Sequence, residues 1–122
     1  MKSGVRTQSF SELAAKVEQF AADRDWNQFH SPKNLAMALS VECAELMEHF
    51  QWLTEAQSRE IAAETMAAVK EELADVLVYA IRLSQVLGVD LLACGHAKLL
   101  LNAEKYPVEK SRGSAKKYSR LT

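Results

Sequence analysis

Residues 69 to 88 read VKEELADVLVYAIRLSQVLG, a run with no proline and no glycine until the last position. Val69, Leu73, Val76, Ala80, Leu83 and Leu87 recur at steps of three and four, the period of a helix that turns one face to a core. Gly88 stands where such a helix should stop, because a residue without Cβ enters the left-handed region at no steric cost. The wider punctuation agrees. Glycine occurs only at 4, 88, 95 and 113 and proline only at 32 and 107, which leaves 33–87 free of both. The chain is predicted to be all-α.

Ser9 and Glu12 form a capping-box pattern ahead of Phe10, Leu13, Val17, Phe20 and Ala21, so a first helix should run to about Arg24. Ser31 before Pro32 supplies an N-cap and a proline at the first helical position of a second helix. Its apolar stripe is expected along Leu35, Leu39, Leu46, Phe50 and Leu53, after which Thr54 and Gln57 repeat the capping box. Asp90 can cap a fourth helix that ends near Lys105, before Pro107. The expectation is a four-helix bundle forming one domain over residues 1–122, with 107–122 a basic C-terminal segment. At 122 residues, 48% of them hydrophobic, a core is affordable without disulfides, yet a helical chain this small often completes it by oligomerising.

The formal net charge of −1 argues against a duplex nucleic-acid partner. Apolar runs such as 76–81 are far shorter than a membrane span, and the polar start from Met1 to Gln8 is not a signal peptide, so a cytoplasmic location with no membrane partner is expected. Cys43 and Cys94 show neither metal-site nor disulfide spacing and are expected to pack as small apolar residues. The near-neutral total hides segregation: residues 40–75 carry nine acids against Arg59 and Lys70, whereas 105–122 carry six bases against Glu109. An acidic centre attracts cations, and a basic end suits anions.

Within the acidic centre Glu42 and Glu45 stand three apart on the second helix, and Glu72 and Asp75 repeat that spacing on the third. Each pair therefore projects from one side of its helix. Glu42 falls inside the apolar stripe between Leu39 and Leu46, where an unneutralised carboxylate is costly, and no basic residue occurs between Lys33 and Arg59. A divalent cation is the economical neutraliser. An all-carboxylate set selects Mg²⁺, with Mn²⁺ as the alternative, over zinc or copper. Di-iron bundles use Glu-x-x-His pairs, and none of His30, His49 and His96 follows a glutamate by three. For Glu48, Glu55, Glu60 and Glu64 a solvated helix face is the better account.

With those pairs stand RDWNQFHSPKNL at 24–35, ECAELMEHFQW at 42–52, EELADVLVY at 71–79 and NAEKYPVEKSRGSAKKY at 102–118. Together they make the chain resemble, from Phe10 to Leu121, the all-α MazG-like nucleoside triphosphate pyrophosphohydrolases, and within them the dCTP-hydrolysing branch. The resemblance implies Mg²⁺-dependent hydrolysis of a deoxynucleoside triphosphate, dCTP first, to the monophosphate and pyrophosphate on a helical homotetramer. It further implies that Glu42, Glu45, Glu72 and Asp75 are the metal ligands, one of them also orienting the attacking water. By the same resemblance Trp26 and Trp52 enclose the base, Tyr79 packs on the sugar and favours deoxyribose by crowding, and Lys98 and Asn102 meet a phosphate or a base edge. His30 matches the family text as well. Read without the resemblance, the tryptophans serve equally as core or interface residues, Lys98 and Asn102 as an exposed helix face, and His30 as part of the Ser31 turn. Val17 stands where mammalian members carry histidine, which implies a weaker cytosine preference.

Two other readings compete. One keeps the metal site and changes the substrate to dUTP, a damaged nucleotide or phosphoribosyl-ATP. The other is a non-catalytic helical assembly module with solvated acidic helices.

Overall fold

A computed structural model describes residues 9–117 and 119, and among them there are helices and turns but no strand. The end of the basic segment, with Tyr118 and Leu121, falls partly outside the described residues. The chain divides into two compact units, Met1–Gly88 and Val89–Thr122. The first holds α1 (Phe10–Asp23), a 3₁₀ turn (Asn27–Phe29), α2 (Pro32–Glu48), the single turn α3 (Glu55–Ser58) and α4 (Ala63–Leu87). The second holds α5 (Leu91–Lys105) and the short α6 (Val108–Ser111).

The local stop and start signals work as read. Ser9 and Glu12 close a reciprocal capping box on α1, and Thr54 and Gln57 close another on α3. Ser31 accepts from the Asn34 amide with Pro32 in the first turn of α2, Asp90 accepts from the Ala93 amide at the start of α5, and Gly88 caps α4 at φ 69°. The end of α1 uses an unexpected device. Asp25 adopts φ 55° without being glycine; its amide donates to Ala22 O at 3.1 Å and the Trp26 amide to Ala21 O at 2.9 Å. This is a Schellman closure, and its hydrophobic clasp is Trp26 edge-on to Phe20, with ring centroids 5.7 Å apart. The helix stop thereby fixes the tryptophan.

The second helix ends at Glu48 rather than continuing to Leu53, because the amides of Phe50 and Gln51 both donate to Met47 O and wind the chain into a turn. Cys43 and Cys94 are exposed, not packed.

α4 packs on α2 and on α1. The core so formed consists of Val17, Ala21, Leu35, Val69 and Ile81, with Leu35 and Ile81 sealed completely. The inner side of α4 is wider than the expected stripe: Val69 is buried and Val76, Ala80 and Leu83 are half-buried as read, Leu73 and Leu87 are about half exposed, and Ile81, Arg82 and Ser84 are buried as well. The helix is apolar on more than one side, so periodicity alone does not choose the inner one. No single helix among the described residues is long and apolar enough to cross a membrane.

Candidate active site

The packing of α2 on α4 brings the two acidic pairs together. Glu42 and Glu45 from α2 and Glu72 from α4 each offer a carboxylate oxygen within 4.8 Å of the others. Glu42 and Glu72 are half-buried, and Glu42 Oε2 and Glu72 Oε2 are fully buried with no hydrogen-bond partner. Buried carboxylate oxygens left bare are costly, and like charges this close oppose one another. The Glu42 carboxyl is accordingly pushed up to about 7: burial contributes first, then the adjoining carboxyls of Glu72 and Glu45, then the negative charges of Glu45 and Asp75. A hard divalent cation would supply what these oxygens lack, so the residues fit Mg²⁺ or Mn²⁺. Asp75, one turn on from Glu72, stands outside the close trio but acts on Glu42 through its charge.

Asp75 also belongs to the wall of an adjoining cavity of about 420 Å³. There α4 adds Val78, Tyr79 and Arg82, α1 adds Val17 and Phe20, and the turn between α1 and α2 adds Trp26 and His30. The volume lies in the range of small-ligand sites, and the aromatic, apolar lining suits a heterocyclic ring. One residue, Asp75, thus joins an acidic cluster to an aromatic cavity, an arrangement able to hold a phosphate chain through cations and a base by ring contact.

The remaining expected residues are placed as follows. Trp52 lies in the turn after α2, is 86% exposed and does not line this cavity. The early end of α2 puts it there. Lys98 and Asn102 lie in the second unit on one side of α5, Lys98 exposed and Asn102 half-buried. Sequence reading missed Arg82, which is only 7% exposed. Its Nε donates to His30 Nδ1 at 2.9 Å, one terminal nitrogen to Asn27 Oδ1 at 2.7 Å and the other to Gln85 Oε1 at 3.1 Å. The signal was an arginine interrupting the apolar run from Val76 to Leu87 with no acid in that run. Burial, and then the Arg82 charge, hold His30 below the usual imidazole value.

The MazG-like family profile matches residues 37–121. The chain is 47% identical over 105 residues to dCTP pyrophosphatase 1 of Rattus norvegicus and 42% identical to that of Homo sapiens. Each alignment covers 84% of this chain and 62% of the relative, so the chain spans less than two thirds of the length of these relatives. Among solved structures, a pyrophosphatase from Archaeoglobus fulgidus superposes with a TM-score of 0.77 at 34% identity, covering 87% of this chain and 99% of the other.

Proposed function

Since the chain belongs to the MazG-like family, we propose that it is a divalent-cation-dependent nucleoside triphosphate pyrophosphohydrolase that acts on deoxynucleoside triphosphates, dCTP before others. The observation that carries this reading is the convergence of Glu42, Glu45 and Glu72 within 4.8 Å, with two buried oxygens unpartnered, beside a cavity that Asp75 shares. The names of the rat and human relatives support dCTP as the first substrate.

In the proposed reaction the oxygen of a water molecule bonds to the α-phosphorus, the bond from that phosphorus to the bridging oxygen of the β-phosphate breaks, and pyrophosphate leaves with that oxygen. The products are the nucleoside monophosphate and pyrophosphate, and the two protons of water pass to the products or to solvent. Mg²⁺ or Mn²⁺ held by Glu42, Glu45, Glu72 and Asp75 would lower the pKa of bound water and offset the charge of the leaving group. A carboxylate of the cluster accepts a proton from the attacking water. Trp26 stacks on the base, and Tyr79, one turn beyond Asp75 on the same wall, crowds the sugar. Lys98 and Asn102 retain the phosphate and base-edge contacts that the resemblance implies.

We also propose that the chain works in the cytoplasm as one domain and a homotetramer. The family match spanning 37–121 runs through both units, which supports a single domain. Exposed apolar side chains, among them Met37 and Val41 on α2, Leu73 and Leu77 on α4, and Leu99 and Leu100 on α5, support burial against further copies. Pyrophosphate release from a panel of deoxy- and ribonucleotides, with and without Mg²⁺, tests the reaction. Light scattering tests the assembly: an active monomer would defeat it.

A further inference from the structure

Arg82 is a buried cation for which no carboxylate partner exists among the described residues. Its three recorded partners, His30 Nδ1, Asn27 Oδ1 and Gln85 Oε1, are neutral acceptors, and Gln85 is itself anchored by donating to Ala14 O at 2.7 Å. Burying a guanidinium on neutral partners is expensive, and a hydrophobic residue of similar size would fill the space more cheaply. What the arrangement secures is orientation. A guanidinium has only donors, so the bond from Arg82 Nε requires a lone pair on His30 Nδ1. The neutral imidazole must then carry its proton on Nε2.

That Nε2–H has no hydrogen-bond partner among the described residues, yet it is not one of the buried polar atoms left bare. It is accessible, and His30 lines the cavity beside Asp75 and next to Trp26, whose ring centroid is 6.1 Å away with the planes inclined at 62°. A ring stacked on Trp26 therefore meets an imidazole steeply inclined to it.

We propose that His30 is a specificity-determining residue whose Nε2–H donates to the 2-carbonyl oxygen of a pyrimidine in the cavity, with Arg82 as the positioning residue that fixes the tautomer. The assignment rests on the nucleotide-hydrolysing reading of this site. The other ionisable groups on the cavity wall are Lys16, Asp75, Tyr79 and Arg82 itself, and of these Arg82 is the one bonded to the ring. Cytosine, uracil and thymine share the 2-carbonyl, so this contact selects pyrimidine over purine without separating the pyrimidines from one another. Removing one such donor should weaken pyrimidine binding roughly tenfold.

The test uses the full chain with its histidine rings labelled with nitrogen-15, the His30 signals being assigned by their loss in His30→Gln. Long-range proton–nitrogen spectra should show His30 as the neutral Nε2–H form between pH 6 and pH 8, about its usual titration range. Addition of deoxycytidine or dCMP should shift its Nε2 resonance, and deoxyadenosine should not. In kinetics, His30→Leu should raise KM for dCTP and dUTP alike by roughly tenfold, and His30→Gln, which retains an N–H donor, should recover most of the loss. A charged ring, an Nδ1–H ring, or an Nε2 signal unmoved by any pyrimidine overturns the proposal, with or without turnover. A shifted Nε2 signal in a protein that releases no pyrophosphate would leave it standing and overturn the catalytic reading instead.

Discussion

Glu42 on α2 and Glu72 on α4, thirty residues apart in sequence, each bury an Oε2 that no hydrogen bond reaches, and their carboxylates lie within 4.8 Å of each other. The helix pair that makes the core also sets this opposition, since Leu35 and Val69 are buried where α2 and α4 supply it. Stability and function therefore compete at one place in the fold.

The competition sets the pH dependence of the metal-free protein. Glu42 is raised from 4.5 to about 7 in the folded chain, so the folded state holds a proton that the unfolded state has released. The contribution of Glu42 to stability is therefore greatest below 4.5, falls as pH rises through that interval, and levels off above about 7. Thermal melts in a chelator should drop across this window, and Mg²⁺ should restore the melting temperature most at the alkaline end. A chelated protein that gained stability from pH 5 to pH 7 would contradict the sign.

Glu42→Gln removes one of the opposed charges. The variant should remain helical, melt higher than the wild type in chelator and gain less from Mg²⁺, with turnover reduced to background. Asp75→Asn should also abolish turnover in a folded protein. Circular dichroism melts paired with pyrophosphate release measure both properties.

Trp26 and Trp52 should separate by mutation. Trp26 is clasped to Phe20 and faces the cavity, so Trp26→Ala should weaken all common deoxynucleotides by about 1–3 kcal/mol, as expected for one stacking partner. Trp52 is exposed in the protomer, so a comparable loss in Trp52→Ala would require it to be covered by something outside this chain. Asn102→Ala should alter the ranking of bases rather than the overall level, since an amide both donates and accepts. Steady-state kinetics across four deoxynucleotides distinguish the three effects.

Val17 lines the cavity and is nearly buried. Val17→His would add a polar edge to that wall, so cytosine should gain on other bases while the nucleotide-free protein loses about 1–3 kcal/mol from a polar group without a partner. Ratios of kcat/KM and denaturant melts of the two proteins provide the comparison.

What was legible in the chain was local. The Ser9 and Thr54 capping boxes, Pro32 behind Ser31, Gly88 and Asp90 act through hydrogen bonds and φ angles spanning a few residues, and each operates where the sequence placed it. The acidic pairs were legible because a spacing of three fixes a helix face, and Glu42 among leucines marked which face was at stake. Tertiary choices were not. The bonds from Arg82 to His30 and Asn27 cross 52 and 55 residues, and nothing in their local sequence pairs them. The stripe Val69, Val76, Ala80 and Leu83 does turn inward on α4, but Leu73 on that stripe and Ile81 off it are equally apolar, and only packing against α1 and α2 buries Ile81 and leaves Leu73 half exposed. The early stop of α2, which leaves Trp52 in an exposed turn, has neither glycine nor proline to announce it.

The most direct test is pyrophosphate release from dCTP by the wild type and by Glu42→Gln, each with Mg²⁺ and with chelator, the fold being checked in the same samples. The account predicts stoichiometric dCMP and pyrophosphate from the wild type with Mg²⁺ alone, and none from the folded variant in either condition. Turnover that persists in Glu42→Gln, or in the wild type stripped of divalent cations, would contradict it.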